Sequence, residues 1–159
     1  FWLKLASLPS GRELAYPFSK AYTRDDAYSF ATAVSANGEV GQIIGATDGR
    51  SPEEIWHTVT AHRLKAGQWY HVAFTFNASD NSYRIRVYDD AADALLFDQT
   101  DRTKQRLALT LADVYLGATQ DLGATGYLDG YLDEMVVFND ILSDQEIDAI
   151  RGGTYGRRN

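Results

Sequence analysis

Apolar and polar residues alternate along much of this chain, and the alternation is cleanest at 69–77. There Tyr70, Val72, Phe74 and Phe76 share one face, and Trp69, His71, Ala73 and Thr75 share the other. Period two with one strongly apolar face is the pattern of a strand laid against a core. Residues 83–89 repeat it, with Tyr83, Ile85 and Val87 opposite Arg84, Arg86 and Tyr88. The polar link at 77–81 predicts that the two strands form a hairpin. Other strand-like runs fall at 1–5, 13–18, 28–35, 40–44, 55–61, 95–98, 114–116 and, longest, 126–138. Asn37-Gly38 between two of them is a strong hairpin turn, because both residues tolerate positive φ. Asp48-Gly49 reads as a second tight turn. Pro17 has no N–H to give a ladder, so it predicts a bend or an edge.

One helix is well specified. Ser143 stands as N-cap and Glu146 three residues on, a capping box, with Leu142 and Ile147 placed for a hydrophobic staple. The helix should run through Ile150 and stop near Gly152-Gly153. Two turns do not hold alone in water, so this helix must rest on a sheet, with Ile147 and Ile150 inward. Many short strands and one short helix describe an all-β protein, an antiparallel β-sandwich with a C-terminal helix. Repeated helices of ten or more residues, which a βαβ fold needs, are missing.

Length and composition narrow the function. The 159 residues fit a single domain over 1–159. Ten Tyr, seven Phe and three Trp favour sheet. A formal net charge of -7 opposes general nucleic acid binding and anionic lipid surfaces. It suits calcium, a neutral glycan or a basic protein. With no cysteine, disulfides, thiolate metal sites and cysteine nucleophiles are excluded. No run of eighteen apolar residues suggests a membrane span. The first residues are not a signal peptide, since the apolar stretch is short and carries Lys4. The chain does not open on Met, which fits a processed form or a fragment.

Three motifs carry a family resemblance. Gly67-Gln68-Trp69-Tyr70-His71-Val72-Ala73-Phe74 leads into the clearest strand. Gly130-Tyr131-Leu132-Asp133-Glu134-Met135-Val136-Val137-Phe138-Asn139 follows, and Leu142-Ser143-Asp144-Gln145-Glu146-Ile147 closes the set. Together, in this order, they resemble the laminin-G-like, concanavalin-A-like jelly-roll superfamily of lectins, glucanases and pentraxins. Val114-Tyr115-Leu116-Gly117 adds a weaker match. The resemblance implies a jelly roll, and one departure from it. Family members usually carry a further strand or two before the segment like 1–5, pairing near the C-terminal strand. Their absence leaves an edge for another subunit, a homo-oligomer or an outside segment to cover.

Within the second motif, Gly130 suggests a bend or bulge. Leu132 has the opposite parity from Met135 and Val137, so a bulge near Asp133-Glu134 would let all three face the core. Asp133 would then satisfy nearby backbone N–H groups. Glucanases of the related fold place carboxylates as Glu-x-Asp-x-x-Glu, and this string is absent. Asp129 and Asp133 lie roughly 13 Å apart on an extended strand, too far for a retaining pair. The expectation is therefore not an enzyme.

His71, mid-strand, reads as structural. His57 and His62 fall on opposite faces and make a poor metal pair. Calcium, wanting several oxygens from loops, has candidate ligands in Asp89, Asp90 and Asp93, and in Asp25 and Asp26. Each group is also an ordinary solvated turn. Asn77-Ala78-Ser79 matches the glycosylation pattern. Glycan binding by this fold uses exposed aromatics, for which Trp56, Tyr22, Tyr28, Tyr88, Tyr127 and Tyr131 qualify. Tyr127, Asp129 and Tyr131 alternate and so share a face; the competing reading is packing against a sheet or another subunit. Trp2 and Trp69 read as core.

The leading expectation is a secreted or cell-surface recognition module that binds carbohydrate, assisted by calcium. The alternative is an adhesion module with an extracellular protein partner. A polysaccharide-degrading enzyme or its accessory domain comes third.

Overall fold

The alternating runs become ten strands among the described residues: β1 (Trp2–Leu5), β2 (Leu14–Tyr22), β3 (Ala27–Ser35), β4 (Val40–Ile44), β5 (Glu53–Trp56), β6 (Trp69–Asn77), β7 (Ser82–Asp89), β8 (Ala94–Arg102), β9 (Tyr115–Leu116) and β10 (Gly130–Asp133). The structure, a computed structural model, describes residues 1–22, 27–45, 53–56, 62–104, 107, 113–119 and 126–156, with the backbone alone at 21–22, 27–29 and 53–56. The strands form two five-stranded sheets, ordered β10-β1-β6-β7-β8 and β5-β4-β3-β2-β9. Every pairing between them is antiparallel. This is the two-layer jelly-roll sandwich that the motifs imply.

The core sits between the layers. Leu3 and Leu5 of β1, Tyr70 and Val72 of β6, and Ile85 and Val87 of β7 face Val34 of β3 and Val40 and Ile44 of β4 across it. Tyr70 is buried, yet its hydroxyl donates to Gln68 Oε1 at 2.7 Å and accepts from the Lys65 N–H at 3.1 Å. A buried Tyr is stable on these terms because its polar end is satisfied.

The expected hairpin forms with Phe74 opposite Ile85 and Asn77 opposite Ser82. Asn77 closes its turn, accepting from the Ser79 N–H at 3.0 Å. In β2 the register shifts between Ala15 and Phe18, around Pro17. The residue without an N–H thus sits in a bulge, where no ladder bond is lost.

The helix α1 (Asp144–Arg151) carries both halves of its capping box. The Glu146 N–H donates to Ser143 Oγ at 3.3 Å, and the Ser143 N–H donates to Glu146 Oε2 at 2.8 Å. That Ser143 N–H, and the Ser143 hydroxyl that donates to the same Oε2 at 2.7 Å, hold the Glu146 carboxyl below the usual range. Side chains from the outward face of β7 fasten the helix. Arg84 bridges Asp98 at 2.5 Å and also pairs with Asp144. Arg86 reaches Asp148 at 3.2 Å, and the Arg151 guanidinium lies 3.8 Å over the Tyr88 ring. Replacing Ser143 by Ala should cost about 1 kcal/mol in urea unfolding, by leaving N-terminal N–H groups of α1 without an acceptor. A loss below a few tenths would mean that the arginine clamp alone holds this end.

The C-terminal strand differs from its expectation. The run 126–138 is a strand only over Gly130–Asp133. The reason is the partner: among the described strands β10 pairs with β1 alone, and its last pair is Asp133 with Trp2. At the next residue the backbone turns, with Glu134 at φ 48°. That turn brings Leu132 and Met135 both to partly buried positions, as the parity argument requires. Val137 does not follow and is 69% exposed. Asp133 accepts from the Glu134 N–H at 2.8 Å, its expected role. Gly130 is needed for close approach rather than for a bulge: a Cβ there would stand 2.3 Å from the Lys4 carbonyl oxygen.

Candidate carbohydrate-binding face

Leu3 and Leu5 point into the sandwich, so Lys4 between them points out. Lys4 is the register partner of Tyr131 on β10 and of Trp69 on β6. Three neighbouring strands therefore present Tyr131, Lys4 and Trp69 in one row on the outward face. The Trp69 and Tyr131 ring centroids are 6.4 Å apart, and Lys4 Nζ lies 6.0 Å from the Trp69 ring centroid. Tyr131 is 62% exposed, and Tyr127, which leads into β10, is 57% exposed. Asp129 between them is exposed and accepts from Ser7 Oγ at 2.6 Å. Its backbone carbonyl accepts from the Ala6 N–H at 2.8 Å, which ties the segment ahead of β10 to β1.

The groups on this face are ones that a sugar could use. Exposed ring faces offer an apolar surface to the C–H face of a pyranose. An ammonium donates to hydroxyls or a carboxylate, and Asp129 accepts from hydroxyls. The face stands on strands, so its spacing is held by backbone ladders rather than by loops.

Trp69 corrects an expectation. It is not a core residue but a half-buried ring on the outward face, because its parity is opposite to that of buried Tyr70. Trp2 is also half-buried and meets His71 edge-on, with ring centroids 5.3 Å apart. His71 is structural, as expected. Burial, and then the positive Phe1 amine, Arg151 and Arg86, push its pKa down to about 3, so the ring is neutral. His62 stacks on Phe97 at 6.2 Å, while His57 lies outside the described residues.

Of the remaining candidates, those whose side chains are described lie away from this face. Tyr88 lies under Arg151, and its hydroxyl donates to Asp93. Trp56 is in β5 opposite Gly41, with its side chain outside the description, as are those of Tyr22 and Tyr28. Asp89, Asp90 and Asp93 form the β7–β8 turn. Asp89 Oδ1 accepts from the N–H groups of Ala91 and Ala92 at 3.0 and 3.2 Å, and the Asp93 N–H donates to the Asp90 carbonyl at 3.2 Å. Among the described residues no three His, Asp or Glu side chains converge as a metal site. Asp25 and Asp26 lie outside the described residues.

Lys4, Ser7 and Trp69 are the members that sequence reasoning missed. Their only local signal was parity, which placed Lys4 and Trp69 on the outward side of their strands.

With the two sheets and this face in view, comparison with known proteins is decisive for the family. A laminin-G model, described as the Concanavalin A-like lectin/glucanases superfamily, matches residues 1–148. The chain belongs to this superfamily. Among solved structures, this superfamily member is similar to the CBM40 of the Ruminococcus gnavus IT-sialidase. With alpha2,3 sialyllactose bound, that CBM40 is 21% identical at a TM-score of 0.63, covering 94% of this chain and 78% of the other. With alpha2,6 sialyllactose bound, the values are 21%, 0.63, 94% and 79%. Without a named ligand they are 20%, 0.59, 94% and 80%. No curated protein sequence matches.

Proposed function

We propose that this concanavalin A-like domain is a non-catalytic recognition module. It binds carbohydrate on the row Tyr131–Lys4–Trp69, with Tyr127 and Asp129 at the rim. The observation that carries the reading is the register itself. Two aromatic rings, one of them well exposed, flank an outward ammonium on three adjacent strands. Membership in a lectin and glucanase superfamily supports it. Secretion or surface display is the matching location.

The similar CBM40 was solved with sialyllactose, and Lys4 offers a cation to a sugar carboxylate, so sialylated glycans head the panel to be tried. The calcium part of the proposal rests on acidic loop composition alone. Titrating glycans with and without calcium tests it.

Isothermal titration against sialyllactose and neutral oligosaccharides gives the test. Trp69→Ala and Tyr131→Ala should each weaken binding at least about tenfold, as loss of an aromatic anchor does. Tyr131→Ala should leave the unfolding midpoint unchanged, because the ring is largely in solvent. Lys4→Gln should discriminate against acidic sugars and spare neutral ones. Full affinity in both aromatic variants would move the site away from this face.

A further inference from the structure

The row Tyr131–Lys4–Trp69 closes on one side and opens on the other. Parity puts Trp69 and His71 on the outward side of β6, yet Trp69 is half-buried and His71 is buried. The Tyr88 ring, on the β7 residue opposite His71, lies under the Arg151 guanidinium at 3.8 Å. The C-terminal end of α1 therefore stands over the next row. Beside Trp69, β7 passes into the acidic turn of Asp89, Asp90 and Asp93, and the Asp90 N–H donates to the Trp69 carbonyl at 3.2 Å. A chain of sugars leaving Trp69 along β6 meets the helix end, and one leaving across β7 meets carboxylates.

In line with β10 the surface stays open. Tyr131, Asp129 and Tyr127 are all exposed, while Leu128 between the last two packs against the core. Backbone bonds hold this alternation on both sides. The Ala6 N–H donates to the Asp129 carbonyl at 2.8 Å, and the Leu128 N–H donates to the Gly117 carbonyl at 2.9 Å. Four residues of extended chain put Tyr127 roughly 13 Å from Tyr131, farther than one pyranose ring reaches. Asp129 stands midway, its carboxylate held by the Ser7 hydroxyl at 2.6 Å. The rings of the row are not coplanar either: Trp69 and Tyr131 are inclined at 49°, with centroids 6.4 Å apart. A flat crystalline polysaccharide needs coplanar rings, whereas inclined rings suit one chain that twists between them.

We propose that this face takes a linear oligosaccharide rather than a single sugar, and that the chain lies along the line of β10. One sugar rests on Trp69 and Tyr131, the next passes Asp129, and a later one stacks on Tyr127. The inference rests on the carbohydrate reading above and adds to it the length and course of the ligand. Tyr127 is thereby a specificity-determining residue. Its ring is reached only by a chain long enough to span the gap, so affinity steps up with chain length.

Isothermal titration with two soluble series tests this: α2,8-linked oligosialic acids and β1,4-linked glucose oligosaccharides, each from monosaccharide to tetrasaccharide. In a series that binds, the tetrasaccharide should bind about tenfold or more tighter than its monosaccharide. Tyr127→Ala should remove most of that ratio, and Tyr127→Phe, which keeps the ring, should restore it. A tetrasaccharide that binds no tighter than its monosaccharide overturns the inference and leaves the carbohydrate reading standing. A gain that survives in Tyr127→Ala also overturns it, since the chain would then take another course. Retention on microcrystalline cellulose without binding of either soluble series does the same. If nothing binds at all, the inference falls together with the carbohydrate reading.

Discussion

Lowering the pH from 6.5 to 4.5 should cost the protein about 2 kcal/mol of stability through His71 alone. Burial holds this imidazole at a pKa of about 3, against an ordinary value of 6.5. The unfolded chain therefore takes up the proton first. Stability is complete above 6.5 and falls as pH drops towards 3, where the folded form also titrates. The ring is 4% exposed, packed edge-on against Trp2, with Arg151 and Arg86 adding repulsion to any charge there.

The neighbouring titrations are separable. The Phe1 amine has the same sign but loses its share between about 8 and about 6. Asp80, Asp144 and Glu146 are held below the usual carboxylate range, so their stabilisation is lost at more acidic pH. Urea unfolding at half-unit steps from pH 6 to 4.5 isolates the histidine, and His71→Gln should flatten that window. An NMR titration of the folded protein that places His71 above about 5.5 would remove the basis of the expectation.

Gly38→Ala should destabilise by about 3 kcal/mol, more than a turn substitution usually does. Gly38 sits in the β3–β4 turn at φ 77°, a conformation that costs any residue with a Cβ. Space is the larger problem. A Cβ there would stand 2.2 Å from the Leu64 carbonyl oxygen. Leu64 cannot retreat freely, because its N–H donates to the Gly38 carbonyl at 2.8 Å and its side chain is part of the core. Gly67 provides the control: φ is 81°, but the space around it is open. Gly67→Ala should carry only the backbone cost of about 1 kcal/mol. If the two variants unfold at the same urea concentration, the contact with Leu64 is softer than this geometry implies.

The candidate face was legible in part. Tyr127, Asp129 and Tyr131 alternate, so their common side could be read from spacing, and the structure places both tyrosines largely in solvent. Trp69 was misread because a Trp beside an apolar run usually packs inside; here the inner face belongs to Tyr70 and Val72. Lys4 could not be joined to either aromatic from sequence, because its neighbours come from distant strands.

What the sequence alone determined is local in origin. Period two set the faces of the hairpin strands, Asn37-Gly38 set a turn, Pro17 marked a bend or an edge, and Ser143 with Glu146 set the start of the helix. Each depends on residues a few positions apart, whose geometry is limited by backbone sterics and nearby hydrogen bonds. Only the tertiary structure decided where β10 stops, that Val137 stays exposed, and that Tyr131, Lys4 and Trp69 form one row. Those outcomes depend on which strand lies beside which, and a strand ends where its neighbour's backbone groups run out.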